Sequence, residues 1–394
     1  MHMLNHNSMR FILFLLPIFF LLNTLSAQSE KEKWIGFETS VTGDFYKTLD
    51  GGISNEYVYL GMEDVGLTFD LEKMGLWSGA EVFIQGLNTH GRLPSEELTG
   101  DMQVVSNIES GIYTGVYQYY ISQSIGNWNF ILGQHDLNSE FVGTEYGGTF
   151  VNSSFGISPT ISLNVPVSIY PMASLAFVAK YELKKKYNFK LGVYDGDPGD
   201  PESNRYNLQP NISDQDGALI ISEFERSLEF NGNPDKIKIG AYYHTNKFTD
   251  YRDTLKKVNG NYGLYSTIDF VLWSNFAKPD RYIGLFAQGG IAPLHINKVN
   301  YYVGGGVHFN GILETDKPDA LGLAFAYANL SRDYKKLNSD YAQGELIFEL
   351  TYKLRFLDHY CVQPNIQYVI NPGASATLED ALVALMRFNI YLNY

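Results

Sequence analysis

Hydrophobic and polar residues alternate with a period of two along much of this chain, most clearly near its C-terminal end. The apolar or aromatic positions there are Ala384, Met386, Phe388, Ile390, Leu392 and Tyr394, and the positions between them include Arg387, Asn389, Tyr391 and Asn393. Segment 346–356 repeats the pattern, with leucine, phenylalanine and tyrosine set against glutamate, threonine, lysine and arginine. A period of two puts successive side chains on opposite faces of a β-strand. The pattern therefore predicts strands with one apolar and one polar face.

The same alternation predicts sixteen strands over the length of the chain. They lie at about 34–46, 55–70, 78–89, 115–124, 127–137, 174–183, 187–195, 217–230, 234–246, 261–273, 282–292, 300–310, 319–329, 341–356, 361–370 and 382–394. Most are long enough for a tilted strand to cross the apolar layer of a membrane, which takes about 9–11 residues. The apolar faces end in aromatic residues, as in the girdles of membrane barrels, although the inner face of a soluble β-sandwich would alternate in the same way.

The connections between these predicted strands alternate in length. Long connections occur at 90–114, 138–173, 196–216, 247–260 and 371–381, and short ones at 125–126, 184–186 and 231–233. Outer-membrane barrels combine long external loops with short periplasmic turns. We therefore predict an all-β fold, a transmembrane antiparallel β-barrel of about sixteen strands. An even number of strands would put both termini on the periplasmic side.

The first 27 residues have the features of a secretory signal peptide. Arg10 supplies a positive charge, Phe11–Leu22 is an apolar run, and Ala27 is a small residue before the expected cleavage point. Translation could start at Met1 or at Met9. Twelve apolar residues at 1.5 Å per residue are too few to span about 30 Å of hydrocarbon. We therefore expect residues 1–27 to be removed and residues 28–394 to form a single exported barrel domain.

Composition narrows the function further. The chain has 394 residues with 29 Lys+Arg and 43 Asp+Glu, a formal net charge of −14, which argues against nucleic-acid binding through a basic surface. One cysteine, Cys361, cannot form an intramolecular disulfide or a cysteine-rich metal site. We find no nucleotide-binding loop, serine-hydrolase elbow or pair of histidines at ligand spacing. The sequence therefore predicts no enzyme activity, no metal site and no cofactor.

Short motifs through most of the mature chain resemble one known family. The most specific block is GQHDLNSEF at 133–141 followed by NSSFG at 152–156, and further motifs are SNIE at 106–109, GVYDGDPGDP at 192–201, GAYYHT at 240–245 and QYVINPG at 367–373. In order and spacing these motifs resemble the carbohydrate-selective porins of the OprB type. Two positions depart from the family pattern: Gln134-His135 replaces a pair that commonly carries a lysine, and the chain ends in Tyr394 where many barrels end in phenylalanine.

The resemblance implies a water-filled channel in the bacterial outer membrane, surrounded by lipid, that admits glucose-like sugars by passive diffusion. Sugars would be its transported solutes, and a homotrimer is a candidate assembly because many such porins are trimers. Porin channels narrow where a long loop turns inward, so the two longest loops, 90–114 and 138–173, are the expected constriction. The polar side chains that we expect to line the channel are Arg92, Asn107, Glu109, Asp136, Asn138, Glu140, Glu223 and Arg387.

Other interpretations stay open at this point. A general diffusion porin without sugar preference would show the same strand pattern, and the net acidity of the chain would then favour cations over anions. A soluble secreted β-protein, such as a lectin or an adhesin, would need a second sheet to cover the apolar faces. Several candidate residues have structural alternatives. Glu109 could hydrogen-bond the loop backbone, and Asp136, Asn138 and Glu140 could fix the loop to the wall. The carboxylates of 195–201 could form a rigid surface turn and not a calcium site.

Overall fold

The computed structural model describes residues 33–200, 204–210, 212–230, 233–313 and 317–393, so the predicted signal peptide lies outside the described residues. Sixteen strands make up nearly all of the regular structure. They are β1 (Ile35–Asp50), β2 (Tyr57–Asp70), β3 (Ala80–Gly91), β4 (Tyr113–Ile125), β5 (Trp128–His135), β6 (Ser174–Leu183), β7 (Tyr187–Asp195), β8 (Ala218–Phe230), β9 (Asn233–Thr249), β10 (Lys257–Asn275), β11 (Lys278–Ile291), β12 (Val299–Asn310), β13 (Ala320–Leu330), β14 (Gly344–Phe356), β15 (Tyr360–Ile370) and β16 (Ala381–Asn393).

Each strand pairs antiparallel with its neighbours in the sequence, and β1 pairs with β16 to close a barrel. The predicted sixteen-stranded antiparallel barrel is therefore confirmed, and no strand boundary is displaced by more than four residues. Closure leaves no sheet edge with unpaired backbone groups, which a sheet surrounded by hydrocarbon requires.

The outer surface of the barrel is apolar and the inner surface is polar. Leu132, Ile239 and Leu272 point outward and are 60%, 59% and 58% exposed. Aromatic residues occur on the outside near both ends of the strands: Tyr57, Tyr59 and Tyr262 at one end, and Trp128, Trp273, Phe356 and Tyr360 at the other. An apolar band between two aromatic girdles matches the thickness and polarity of a bilayer. In the part of the chain that is described, helices are too short or too polar to cross a membrane.

The connections divide between two ends of the barrel. One end, called the loop end here, carries the connections 51–56, 92–112, 136–173, 196–217 and 331–343, and the opposite turn end carries 126–127, 184–186 and 357–359 among others. The loops contain short helical turns at Ser95–Thr99, Leu137–Ser139, Gly147–Thr149, Ser153–Phe155 and Pro372–Ala374, and two short α-helices, α1 (Pro159–Ser162) and α2 (Arg332–Lys335). The two longest loops, 92–112 and 136–173, fold into the barrel and bury apolar side chains against its wall.

Candidate functional site

Three carboxylates of the barrel wall hold the 136–173 loop across the lumen. Glu223 on β8, Asp269 on β10 and Glu349 on β14 are all buried. Their oxygens accept hydrogen bonds from backbone N–H groups of the loop: Glu223 from Val142 (2.9 Å), Asp269 from Glu145 (3.2 Å) and Tyr146 (3.1 Å), and Glu349 from Val151 (2.7 Å) and Asn152 (3.0 Å). Hydrogen bonds to charged groups contribute more than neutral ones. The wall therefore fixes the loop at three points along its length.

Small residues in the wall make room for aromatic side chains of the same loop. A Cβ atom at Gly284 on β11 would lie 2.8 Å from the Tyr146 ring, and one at Gly322 on β13 would lie 2.7 Å from the Phe150 ring. Phe150 in turn contacts Phe155, with ring centroids 5.0 Å apart. Because each buried ring removes a large apolar area from water, packing stabilises the loop in addition to the three carboxylates.

The 92–112 loop is held by the neighbouring part of the wall. Two loop N–H groups, of Met102 (2.8 Å) and Gln103 (3.0 Å), donate to the carboxylate of the wall residue Glu345. In the other direction, the side chain of the wall residue Gln367 donates to the Val105 carbonyl of the loop (2.7 Å). The two loops also bond each other, because the Asn107 N–H donates to the Val151 carbonyl at 2.9 Å. Together the loops form one plug that fills part of the lumen.

A buried ion pair joins the first and last strands beside this plug. Nε and Nη2 of Arg387 each donate to one oxygen of Asp44 at 2.8 Å. The Ser106 hydroxyl of the 92–112 loop donates to the same carboxylate at 2.7 Å. The Asp44 side chain has no exposed surface and that of Arg387 is 11% exposed. The pair therefore closes the barrel and anchors the loop at the same time.

Other side chains on the lumen face keep contact with solvent. Glu140 of the 136–173 loop and Lys180 on β6 form an ion pair at 2.6 Å, and both are partly exposed. Phe83 on β3 and Tyr120 on β4 oppose each other on the lumen face, with ring centroids 5.3 Å apart. Charged groups can replace water on hydroxyls, and aromatic rings can cover C–H surfaces. This part of the lumen can therefore bind a hydroxyl-rich solute that also has apolar faces.

The histidines in this region are held by protein groups. Nδ1 of His135 lies 3.1 Å from the Tyr194 hydroxyl, and Nε2 of His244 lies 2.8 Å from the Gly196 carbonyl oxygen. Within the described ranges, His, Cys, Asp and Glu side chains nowhere form a group of three or more arranged to hold a metal ion. The chemistry available along the lumen is therefore hydrogen bonding, charge and apolar contact.

Comparison with known proteins agrees with this geometry. Residues 54–392 match the family described as carbohydrate-selective porin, OprB family. The chain belongs to this family of carbohydrate-selective porins. The resemblance inferred from the sequence motifs is confirmed: the protein is an outer-membrane sugar porin, and its family and fold indicate a channel.

Individual relatives of the porin share its length. Porin B of Pseudomonas aeruginosa is 24% identical over 401 residues, covering 90% of this chain and 86% of that protein. The high-pH structure of Pseudomonas putida OprB superimposes with a TM-score of 0.85 at 21% identity, covering 92% of this chain and 95% of that one. The trimer form of Vibrio cholerae OmpT gives a TM-score of 0.53 at 11% identity, with 91% and 99% covered.

Glu109, a predicted lining residue of the porin, points into protein and not into the lumen. Its two carboxylate oxygens accept hydrogen bonds from the Ser95 N–H (3.0 Å) and the Ser95 hydroxyl (2.8 Å). Burial raises the pKa of Glu109 to about 7, and burial also raises the pKa of the neighbouring Asp101 carboxyl well above its usual range. Glu109 therefore shapes the 92–112 loop, which is the structural alternative considered for it.

Asp136, Asn138 and Glu223 likewise serve the loop backbone of the porin. Oδ1 of Asp136 accepts from the Asn138 N–H at 2.9 Å, and burial raises the Asp136 pKa to about 6. The Asn138 side chain donates to the Gly156 carbonyl at 2.9 Å, which ties the two arms of the loop together. Glu223 is buried beneath the loop, where it also bonds Lys190 at 3.2 Å. All three side chains are therefore engaged by the loop; Glu223 is buried, and Asp136 and Asn138 are partly exposed.

The other four predicted residues of the porin occupy different places. Arg92 is exposed at the loop end, where it forms ion pairs with Glu56 and Glu97. Asn107 is exposed where the two loops meet. Glu140 has partly exposed surface in the lumen, and Arg387 is committed mainly to Asp44. The structure therefore brings Glu140 and Arg387 to the constriction and places Arg92 away from it.

Sequence reasoning missed several residues of the porin that build the constriction. Asp44 and Glu345 were not among the candidates, nor were the lumen aromatics Phe83 and Tyr120. Each lies at a polar-face position of a predicted strand, so the alternation could have placed them in the lumen. The alternation does not predict which loop residue a wall residue contacts, because the two partners are far apart in the sequence.

Proposed function

We propose that this porin is a passive channel for neutral, glucose-like monosaccharides, with the narrow path running beside the exposed edge of the 136–173 loop. The observation that supports this most is that the loop is fixed across a sixteen-stranded lumen by wall carboxylates while Glu140 and Lys180 stay accessible. A fixed loop sets a size limit, and partly exposed charges replace water on sugar hydroxyls. Hydrogen bonds of this kind are favourable enough for a sugar to enter the channel and weak enough for it to leave.

The proposed path has an aromatic side, formed by Phe83 and Tyr120, and a charged side at Glu140. Phe83 and Tyr120 present ring surface on β3 and β4, and Glu140 is close enough for its charge to act on the Tyr120 hydroxyl. A pyranose has C–H faces that suit rings and an equatorial rim of hydroxyls that suits charged groups. We infer that a monosaccharide passes with a face on Phe83 and Tyr120 and its rim towards Glu140.

The channel requires no energy source in this proposal. Sugars move down their concentration gradient, and no catalytic step or cofactor takes part. We place both termini, and with them the turn end, on the periplasmic side, since an exported chain with an even number of strands starts and finishes at the same side.

A selective channel and a general porin differ in how they respond to sugar. Glucose should reduce the ion current of the wild-type channel in planar bilayers, because a bound sugar occupies the path. Glu140→Gln should weaken that block about threefold to tenfold, the effect expected when one charged hydrogen bond is lost, with little change in conductance without sugar. Glu182→Gln, an exposed glutamate at the end of β6, is the matched control. A wild-type current that glucose, maltose and sucrose leave equally unchanged would show a general porin instead.

We also propose that the porin assembles as a homotrimer through the outer faces of β2, β3 and β4. Glu63 on β2 and His90 on β3 face outward on the loop-end side of the barrel, beside the girdle residue Tyr59, and lie 3.6 Å apart. Asn88 on β3 and Thr114 on β4 form a hydrogen bond on the same surface. Polar groups facing hydrocarbon are costly, so this patch favours a protein neighbour over lipid. The trimer form of Vibrio cholerae OmpT, a barrel of similar fold, supports a trimeric assembly.

Two outward glycines give a matched test of this interface. Gly86 on β3 lies in the polar patch with no atom within 4 Å of an added Cβ, and Gly289 on β11 is similarly open on the opposite wall. We expect Gly86→Trp to convert trimers to monomers on an unboiled detergent gel, because the indole would separate the subunits. Gly289→Trp should leave the assembly unchanged. Monomers from the wild type, or trimers from both variants, would contradict the proposed interface.

A further inference from the structure

Two basic side chains on the lumen face of β14 differ from the other cations of the wall. Four lysines of β6, β7 and β9 each have a carboxylate partner: Lys180 with Glu140 (2.6 Å), Lys190 with Glu223 (3.2 Å), Lys236 with Glu145 (3.6 Å) and Lys238 with Glu225 (3.9 Å). Lys353 and Arg355 form no ion pair with any residue in the described segments. The one hydrogen bond of Arg355 there is a long one, 3.5 Å, to the Pro318 carbonyl.

These two cations lie together on the turn-end side of the constriction loop. They are two positions apart on one strand and therefore share a face. Thr351, the preceding lumen position, is next to Gly322 on β13, against which the loop packs Phe150. Both side chains are half-buried, and the charges of Arg355 and Arg387 repel that of Lys353. Like charges held together without a counterion are unfavourable, so this corner attracts an anion from the channel.

A buried histidine beside the cations also lacks a partner on one side. Nδ1 of His308 on β12 bonds the Thr149 hydroxyl of the loop at 2.7 Å, whereas Nε2 is buried and, within the described residues, has no partner at hydrogen-bond geometry; the Asn310 side chain lies close enough to the ring to act on it. The imidazole lies beside the Tyr146 and Tyr282 rings, with ring centroids 5.5 and 5.6 Å away, and the two tyrosine rings are 5.9 Å from each other. His308 also lies within range of the charges of Lys353 and Arg355. A buried polar atom without a partner is unfavourable, and a ligand oxygen or hydroxyl would remove that cost.

We propose that Lys353, Arg355 and His308 form a subsite for the carboxylate of an anionic sugar, an aldonic or uronic acid, with the Tyr282 ring facing its C–H surface. Two cations can bind both oxygens of a carboxylate, and Arg does so with a planar pair of donors. A neutral sugar cannot offset these charges. The subsite rests on the proposed channel function and extends it from neutral sugars to sugar acids, although the net charge of the whole chain is −14. The local charge at the path, and not the total, governs which ions enter.

Current block in planar bilayers separates the subsite from the channel function. Glucuronate should block the wild-type current at a concentration about tenfold lower than glucose does, as one additional charged contact predicts. Lys353→Gln/Arg355→Gln should remove that advantage and leave glucose block unchanged. Lys184→Gln/Lys185→Gln, in the exposed turn between β6 and β7, removes the same charge and should leave the advantage intact.

The outcomes are distinguishable. Equal block by glucuronate and glucose in the wild type, or an unchanged advantage in the Lys353/Arg355 variant, would overturn the subsite. Absence of block by either sugar would overturn the channel function itself. Gel mobility without boiling establishes that each variant is folded, and the single Arg355→Gln variant, with about half of the effect expected, serves if the double variant does not fold.

Discussion

Replacing Glu349 by alanine should widen the channel and admit disaccharides that the wild type excludes. The substitution leaves the Val151 and Asn152 N–H groups and the Asn365 side-chain amide without their acceptor. Each buried donor left unsatisfied costs about 1–3 kcal/mol, which is enough to release the 149–155 part of the loop from the wall. The Glu223 and Asp269 contacts should keep the first half of the loop in place, so the barrel should stay folded.

Liposome swelling with a series of mono- and disaccharides measures this change. We expect Glu349→Ala to raise the rate for sucrose about tenfold relative to glucose and to speed hydrogen exchange at residues 149–155. Thr351→Val is a control on the same face of the same strand, because it removes only one hydrogen bond, from Gln363. An unchanged ratio of sucrose to glucose rates in Glu349→Ala would show that Glu349 does not set the width of the channel.

Replacing Arg387 by methionine should cause the largest loss of barrel stability. Asp44 would remain as a buried carboxylate facing a thioether, and breaking a buried ion pair on one side costs about 3–5 kcal/mol. β1 and β16, which close the barrel, would lose the ion pair that links them. We expect the folded band on an unboiled detergent gel to unfold at a clearly lower temperature than the wild type.

A second substitution isolates the role of the charge. Adding Asp44→Asn to Arg387→Met removes the unpaired carboxylate, so the double variant should recover most of the lost stability. The Ser106 hydroxyl can still donate to the amide oxygen of the new side chain. If Arg387→Met unfolds at the wild-type temperature, or if Asp44→Asn brings no recovery, the pair does not stabilise the barrel as we infer.

The carboxylates of the wall show how far sequence reasoning reached at the site. Glu223 was predicted to line the channel from its polar strand position and Glu109 from its place in a long loop, and both accept hydrogen bonds from loop backbone N–H groups. The same groups that can bind sugar hydroxyls also accept N–H bonds, so residue type alone does not separate the two roles. A carboxylate that anchors a loop is buried, whereas one that binds sugar is exposed, and this burial depends on where each loop lies.

The residue pattern was sufficient to predict the barrel: sixteen strands, their order and which face of each meets lipid. It could do so because hydrocarbon outside and water inside impose the same two-residue alternation on every strand. Even the four-residue difference at the start of β10 has a local cause, since Gly260 (φ +79°) forms a bulge that lets the strand begin at Lys257. The constriction, in contrast, depends on contacts that are visible only in the folded protein. The Val151–Glu349 bond joins residues 198 positions apart, and an irregular loop has no periodic pattern from which such a contact could be predicted.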